Sequence, residues 1–206
     1  MRYLNKIVFI NSAAIRYSEV QLDGNIHLIG TQGVGKSTIL RAILFFYNAD
    51  TQRLGIPVEK KSYQDYYFPY ADSSIIYEVA REDGWFTVLS YKTMNRICYR
   101  FIASPYRPDL FIDEEGAPYP SDRIRSVLDK NGIKYSGAIS TYEEYRNILY
   151  GNSDNKRDYS CYSLMESGSY QNIIRTIQNV LLNSRLEADY IKQTIITSLN
   201  EADSVI

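Results

Sequence analysis

The chain has 206 residues, about one ordinary domain, and 45% of them are apolar, enough to bury a core. With 23 basic against 24 acidic side chains the formal net charge is −1. No global basic excess points to nucleic acid, although a local patch suffices for DNA binding in a neutral protein. Two distant cysteines, Cys98 and Cys161, lack metal-ligand spacing; a lone bridge between them stays open, and the preferred reading is buried free thiols in a reducing cytosol. The single His27 offers neither a zinc cluster nor a Ser-His-Asp arrangement. The N-terminal apolar run is too brief for a signal peptide or a membrane span, so the expectation is a cytoplasmic protein with no membrane partner.

In chain order, Ile7–Ile10 is a β-rich apolar run and Glu19–Leu22 alternates like a second strand. Asp23-Gly24 is a turn signal, and Ile26–Ile29 reads as a third strand running straight into Gly30. Ser37–Tyr47 reads as a helix with Ile39, Leu40, Ile43, Leu44 and Tyr47 on its apolar face. The stretch 48–72 has little periodicity and reads as a long loop. Ser74–Arg81, Trp85–Tyr91 and Ile97–Ala103 follow as strands, the first two joined by a turn at Glu82-Asp83-Gly84. Leu110–Ile112 and Ala117–Tyr119 flank a further hairpin turn at 113–116. Helices are expected from Ser121 to a stop at Asn131-Gly132, from the capping box Thr141–Glu144, around Ile173–Leu181, and from Ser184 to about Ala202.

One segment carries chemistry. Gly30-Thr31-Gln32-Gly33-Val34-Gly35-Lys36-Ser37 satisfies the phosphate-loop pattern G-x-x-x-x-G-K-[ST]. Glycines let successive backbone amides turn toward phosphate oxygens, and the following helix points its amino end at the same anion. Lys36 is expected to reach the β- and γ-phosphates, Ser37 to ligate Mg²⁺, and Thr38 to offer a second hydroxyl. The nucleotide-binding set is therefore Gly30, Gln32, Gly33, Val34, Gly35, Lys36, Ser37 and Thr38. An NTPase of this class also needs a carboxylate after an apolar strand. Asp113 and Glu114 follow only three apolar residues behind Pro108-Asp109, and read instead as a solvated turn. Arg16, Lys60, Lys61, Lys156 and Arg157 are basic residues that read as solvent-facing.

The order of elements, three strands before the loop and a β-rich excursion after its helix, resembles the N-terminal half of an SMC-type ATPase head, of the ABC-like class. Within that class the chain is most similar to MukB-type condensins and to the ATPase of Wadjet anti-plasmid systems. The residues that carry the likeness are Ile7–Asn11, Val20–Asp23, Gly30–Thr38, Ser140–Tyr145 and Tyr162–Ser167. Gln32 departs from the Asn of many such loops. The resemblance implies ATP and Mg²⁺ as cofactors. It also implies that a C-terminal lobe beyond a long coiled coil supplies the missing acid, and that a second head closes the site. No Leu-Ser-Gly-Gly-type signature is present here, and the chain ends near where the coiled coil would start. DNA is the expected target of the assembly, in chromosome organisation, repair or defence, with accessory subunits as further partners.

The expectation is thus an α/β fold: a P-loop NTPase head lobe of ABC/SMC type with a mixed β-sheet. It spans residues 1–206 as a single lobe, with 1–47 holding the loop, 73–120 β-rich and 121–206 helical. Two alternatives stay open: a self-contained NTPase or kinase using Asp113 or Glu114, and a non-enzymatic module that nucleotide merely stabilises.

Overall fold

The computed structural model describes residues 2–164, apart from 25, 30, 32, 34, 52, 53, 55, 57–60, 95 and 152–158. These residues all belong to the unit Met1–Ser167. The helices expected around 173–181 and 184–202 lie outside the described residues.

Five strands form one sheet: β1 (Tyr3–Ser12), β2 (Ile15–Gln21), β3 (Ser74–Arg81), β4 (Gly84–Thr93) and β5 (Arg96–Ile102). Their order is β2-β1-β3-β4-β5, and every neighbouring pair is antiparallel. This differs from the mixed sheet expected. Three of the four pairings join strands that follow one another through tight turns, and an antiparallel ladder is what a short connection permits. The β3–β4 turn closes at Gly84, whose φ of 145° favours glycine.

Ile26–Ile29 does not extend the sheet as a third strand: it pairs with none of the described strands, and Ile29 is 89% exposed. The stretch 48–72 is not the open loop expected. It contains the short helix α2 (Tyr63–Tyr67), and Leu54, Tyr63, Tyr67 and Phe68 are all buried. Aromatic burial, invisible to a periodicity argument, holds this segment down.

Side-chain alternation sends the two faces of the sheet into two separate cores. On one face Val8, Ile10, Ile76, Leu89 and Ile102 meet Tyr106, Leu110, Phe111 and helix α3 (Ser121–Lys130), which contributes Ile124 and Leu128. On the other, Tyr77, Tyr99 and Phe101 meet helix α1 (Lys36–Asn48) and helix α4 (Tyr142–Leu149) through stacked and tilted rings. Burial on both faces is why β3 to β5 read as almost continuous apolar runs. Each large side chain so buried contributes about 1.5–3 kcal/mol.

The face that α1 buries is rotated from the one expected. Thr38, Ala42, Leu44, Phe45, Phe46 and Asn48 are buried, whereas Ile39, Leu40, Ile43 and Tyr47 stay half-buried. The rotation lets Phe45 and Phe46 reach the rings of Tyr63, Tyr77 and Tyr99.

The rest follows the sequence closely. Thr141 caps α4, its hydroxyl accepting from the Glu144 amide at 3.2 Å. Helix α3 begins at Ser121 itself, with Pro120 rather than Ser121 in the cap position, and stops at Asn131 before Gly132 at φ 65°. The expected hairpin at 110–119 reduces to a single bridge between Ile112 and Pro118, preceded by a 3-10 turn at Pro108–Leu110. Residues near 135 and 139 bridge to β5 and cover that edge of the sheet.

Candidate nucleotide site

The glycine loop leads into the first turn of α1. Gly33 and Gly35 have φ of 92° and 93°, the left-handed region that a Cβ disfavours, although a Cβ would meet no atom within 4 Å at either position. Glycine is required here by conformation rather than by space. Gly35 is the N-cap of α1, and its carbonyl accepts from the amides of Thr38 at 3.0 Å and Ile39 at 3.1 Å. No side chain caps the helix and no acidic residue stands in its first turn. The positive end of the helix dipole thus faces outward uncompensated by carboxylate. The Lys36 ammonium folds back over the loop and donates to the Thr31 carbonyl at 2.8 Å.

Around this turn lies a cleft of about 860 Å³, in the range of small-molecule sites. It is lined by Gly33, Gly35, Lys36, Ser37 and Thr38 of the loop and the start of α1, together with Lys61, Tyr66 and Tyr67. Arg41 and Ile56 also line it. Four of the lining residues are thus Lys36, Arg41, Lys61 and the hydroxyl-bearing Ser37, a cationic and hydrogen-bonding wall suited to phosphate. Ser37 is exposed to the cleft region while Thr38 is buried beneath it. Gly30, Gln32 and Val34, expected in the same set, lie outside the described residues.

Helix α2 is fixed against α1 by aromatic contacts and hydrogen bonds. The Tyr67 hydroxyl donates to the Thr38 carbonyl at 2.8 Å, and its ring stacks on Tyr63, which in turn stacks on Phe45. Tyr66 places its hydroxyl 3.4 Å from Thr38 Oγ1. Burial pushes the Tyr67 phenol well above its ordinary range, so it stays a neutral donor at physiological pH. At the start of α2 the Ser62 hydroxyl both bonds the Asp65 carboxylate at 2.7 Å and accepts from its amide. The Ser62 bond, with Lys92 next, holds the Asp65 carboxyl below its usual range.

Of the expected set, Gly33, Gly35, Lys36, Ser37 and Thr38 line the cleft; Arg41, Ile56, Lys61, Tyr66 and Tyr67 line it too and are not in that set. Arg41 was legible in principle, since it stands four residues after Ser37 and so shares its helical face. Lys61 and the tyrosines carry no such local signal; Lys61, expected to face solvent, lines the cleft beside α2.

The other residues singled out lie elsewhere. Asp113 Oδ1 accepts from the amides of Ala117 at 2.7 Å and Glu115 at 3.1 Å, a carboxylate engaged in its own turn. Neither Asp113 nor Glu114 lines the cleft. Arg16 is an exposed residue of β2 rather than of the turn before it, and His27 is exposed. Lys60, Lys156 and Arg157 lie outside the described residues. Both cysteines are free thiols; Cys98 is buried, whereas Cys161, expected to be buried as well, is exposed. Among the described residues, no group of three or more His, Cys, Asp or Glu converges on a possible metal position, and no helix is long and apolar enough to cross a membrane.

No curated protein matches the chain. A family model does, over residues 12–206, under the description "Protein of unknown function (DUF3584)". That match takes in the glycine loop, the whole of α1 and the aromatic segment that lines the same cleft, and on its extent the chain belongs to the DUF3584 family.

Proposed function

We propose that this chain is the ATP-binding N-terminal lobe of an SMC-like ATPase head, of the kind that MukB-type condensins and the Wadjet ATPase carry. The single observation that carries the nucleotide part is the glycine loop at the amino end of α1, opening onto a cleft with Lys36, Ser37 and Arg41 at its wall. Backbone amides and a helix amino end favour an anion there, and Lys36 adds a mobile positive charge. Ser37 fits Mg²⁺ as a single hydroxyl ligand. Mg²⁺ keeps several waters and takes its remaining oxygens from phosphate, so no carboxylate cluster is required for it to bind.

Two features support a half-site rather than a complete enzyme. The segment Ile26–Ile29, which runs into the loop, pairs with none of the described strands and exposes Ile26 and Ile29. The stripe Ile39, Leu40, Ile43 and Tyr47 leaves a half-buried apolar face on α1 itself. Both are surfaces that a complementary lobe would cover, and the same lobe would bring the acid that positions the attacking water. In the full assembly ATP would draw two heads together on DNA, in chromosome organisation, repair or defence. That last step rests on resemblance.

The test is nucleotide binding and ATP hydrolysis by this chain beside Lys36→Ala. The expected result is Mg-dependent ATP binding with turnover far below one per second, and loss of binding in the variant. Turnover of order one per second or more by the chain alone would mean that it carries its own acid, as a self-contained NTPase does.

A further inference from the structure

The cleft is larger than a triphosphate tail requires, and its lining is not uniformly polar. Lys36, Arg41 and Lys61 bring charge to it, whereas Ile56 and Tyr66 add apolar and aromatic surface. Tyr66 is held in place by a ladder of rings. Phe45 of α1 stacks on Tyr63 at 4.4 Å between centroids, Tyr63 stacks on Tyr67 at 4.1 Å, and Tyr67 meets Tyr66 edge-on at 5.0 Å and 81°. Phe45, Tyr63 and Tyr67 are buried, while Tyr66 is 39% exposed. The ladder is anchored to the first turn of α1 through the Tyr67 hydroxyl on the Thr38 carbonyl. A rigid scaffold therefore presents one partly exposed ring beside the residue that follows the proposed Mg²⁺ ligand.

A ring so held costs little further entropy to bind against, and an aromatic face stacks on any nucleobase. Resting on the reading of the glycine loop as a nucleotide cradle, we propose that Tyr66 is the base-side wall of the site. Its ring stacks on the nucleobase, with Ile56 extending the apolar surface. The site thereby takes nucleoside triphosphates in preference to bare polyphosphate, and Tyr66 itself does not discriminate adenine from guanine.

The test is equilibrium binding of ATP, GTP and inorganic tripolyphosphate, each with Mg²⁺, to the full 206-residue chain. It is run on the unaltered chain, Tyr66→Phe and Tyr66→Ala, with thermal unfolding as a fold check. Stacking predicts that Tyr66→Ala weakens ATP and GTP alike by about tenfold or more and leaves tripolyphosphate unchanged, while Tyr66→Phe stays close to the unaltered chain. Equal losses for all three ligands, or a loss in Tyr66→Phe as large as in Tyr66→Ala, would overturn the proposal and make the hydroxyl near Thr38 a phosphate contact. Unchanged ATP binding in Tyr66→Ala also overturns it while leaving the loop intact. Failure of the unaltered chain to bind either ATP or tripolyphosphate would instead remove the nucleotide cradle on which the proposal stands.

Discussion

At the scale of single residues, conformation and protonation decide more here than contact does. Gly35 occupies φ 93° with open space around its missing side chain, so Gly35→Ala introduces backbone strain and no clash. The expected cost is about 1–2 kcal/mol of stability. Because the loop can relieve that strain only by abandoning its turn, nucleotide affinity should fall more than stability does; chemical denaturation and ATP titration of the same variant separate the two. The buried tyrosines make a second prediction. Burial raises the phenols of Tyr63, Tyr77 and Tyr145 well above their ordinary value, and those of Tyr67 and Tyr99 also. Below about pH 10 these groups are neutral in both folded and unfolded chains, and their burial is uncompromised. As pH rises past that value the unfolded chain releases the protons and the folded one does not. Stability should therefore fall, by up to about 1.4 kcal/mol per pH unit for each such phenol. The tyrosinate absorbance of these buried phenols should then appear in one cooperative step that coincides with unfolding, over and above whatever the exposed tyrosines contribute; ionisation of all 20 tyrosines with the fold intact would contradict it.

At the scale of elements, the helix that follows the glycine loop is anchored by tyrosines. Hydroxyls of Tyr67, Tyr77, Tyr145 and Tyr150 donate to the carbonyls of Thr38, Ala42, Phe46 and Tyr47, and Tyr99 reaches the Ala49 carbonyl at 3.4 Å. The last turn of any helix leaves carbonyls without an intrahelical partner, and Phe46, Tyr47 and Ala49 are such groups. This gives a physical role to part of a tyrosine content of 20 that composition alone left unexplained. Tyr145→Phe removes a 2.6 Å bond and leaves a buried carbonyl under-satisfied, so it should cost about 1–3 kcal/mol. Thr141→Ala, which removes the cap of α4, should cost about 1 kcal/mol. Denaturant midpoints of the two variants and of the double variant test both. Tyr145 lies one turn beyond the cap, so the double variant should fall short of or exceed additivity if α4 frays as a unit.

At the scale of the whole described unit, the two faces of the sheet divide the labour. One side, with Val8, Ile76, Leu89, Phe111 and Leu128, is a core with no residue of the cleft in it. The other side carries α1 and the aromatic contacts that position the glycine loop. Leu128→Ala should accordingly cost about 2–5 kcal/mol of stability while ATP affinity, measured under conditions where the variant stays folded, is unchanged. A loss of affinity in that variant would show that the far core sets the geometry of the cleft. On that same first face, the buried Glu78 side chain accepts from Asn5 Nδ2 and from the Tyr106 amide, both at 2.7 Å. It ties β1, β3 and the segment after β5 together without touching the cleft.

The sequence by itself determined the local items: the glycine loop with its helix, the runs of β3, β4 and β5, the cap at Thr141 and the stop at Asn131-Gly132. Each depends on neighbours a few residues apart, through backbone conformation, alternation or capping, and such signals are written in the chain directly. Only the tertiary structure decided which face of α1 is buried, because Phe45 and Phe46 outweigh the periodic Ile39-Ile43 stripe once Tyr63, Tyr77 and Tyr99 are there to receive them. It also decided that the unpatterned stretch after α1 folds back as α2, and that Lys61 and Tyr66 line the same cleft as the glycine loop. Ring stacking and hydroxyl-to-carbonyl bonds between residues 18 to about 100 positions apart hold these arrangements, and no local periodicity encodes such partners.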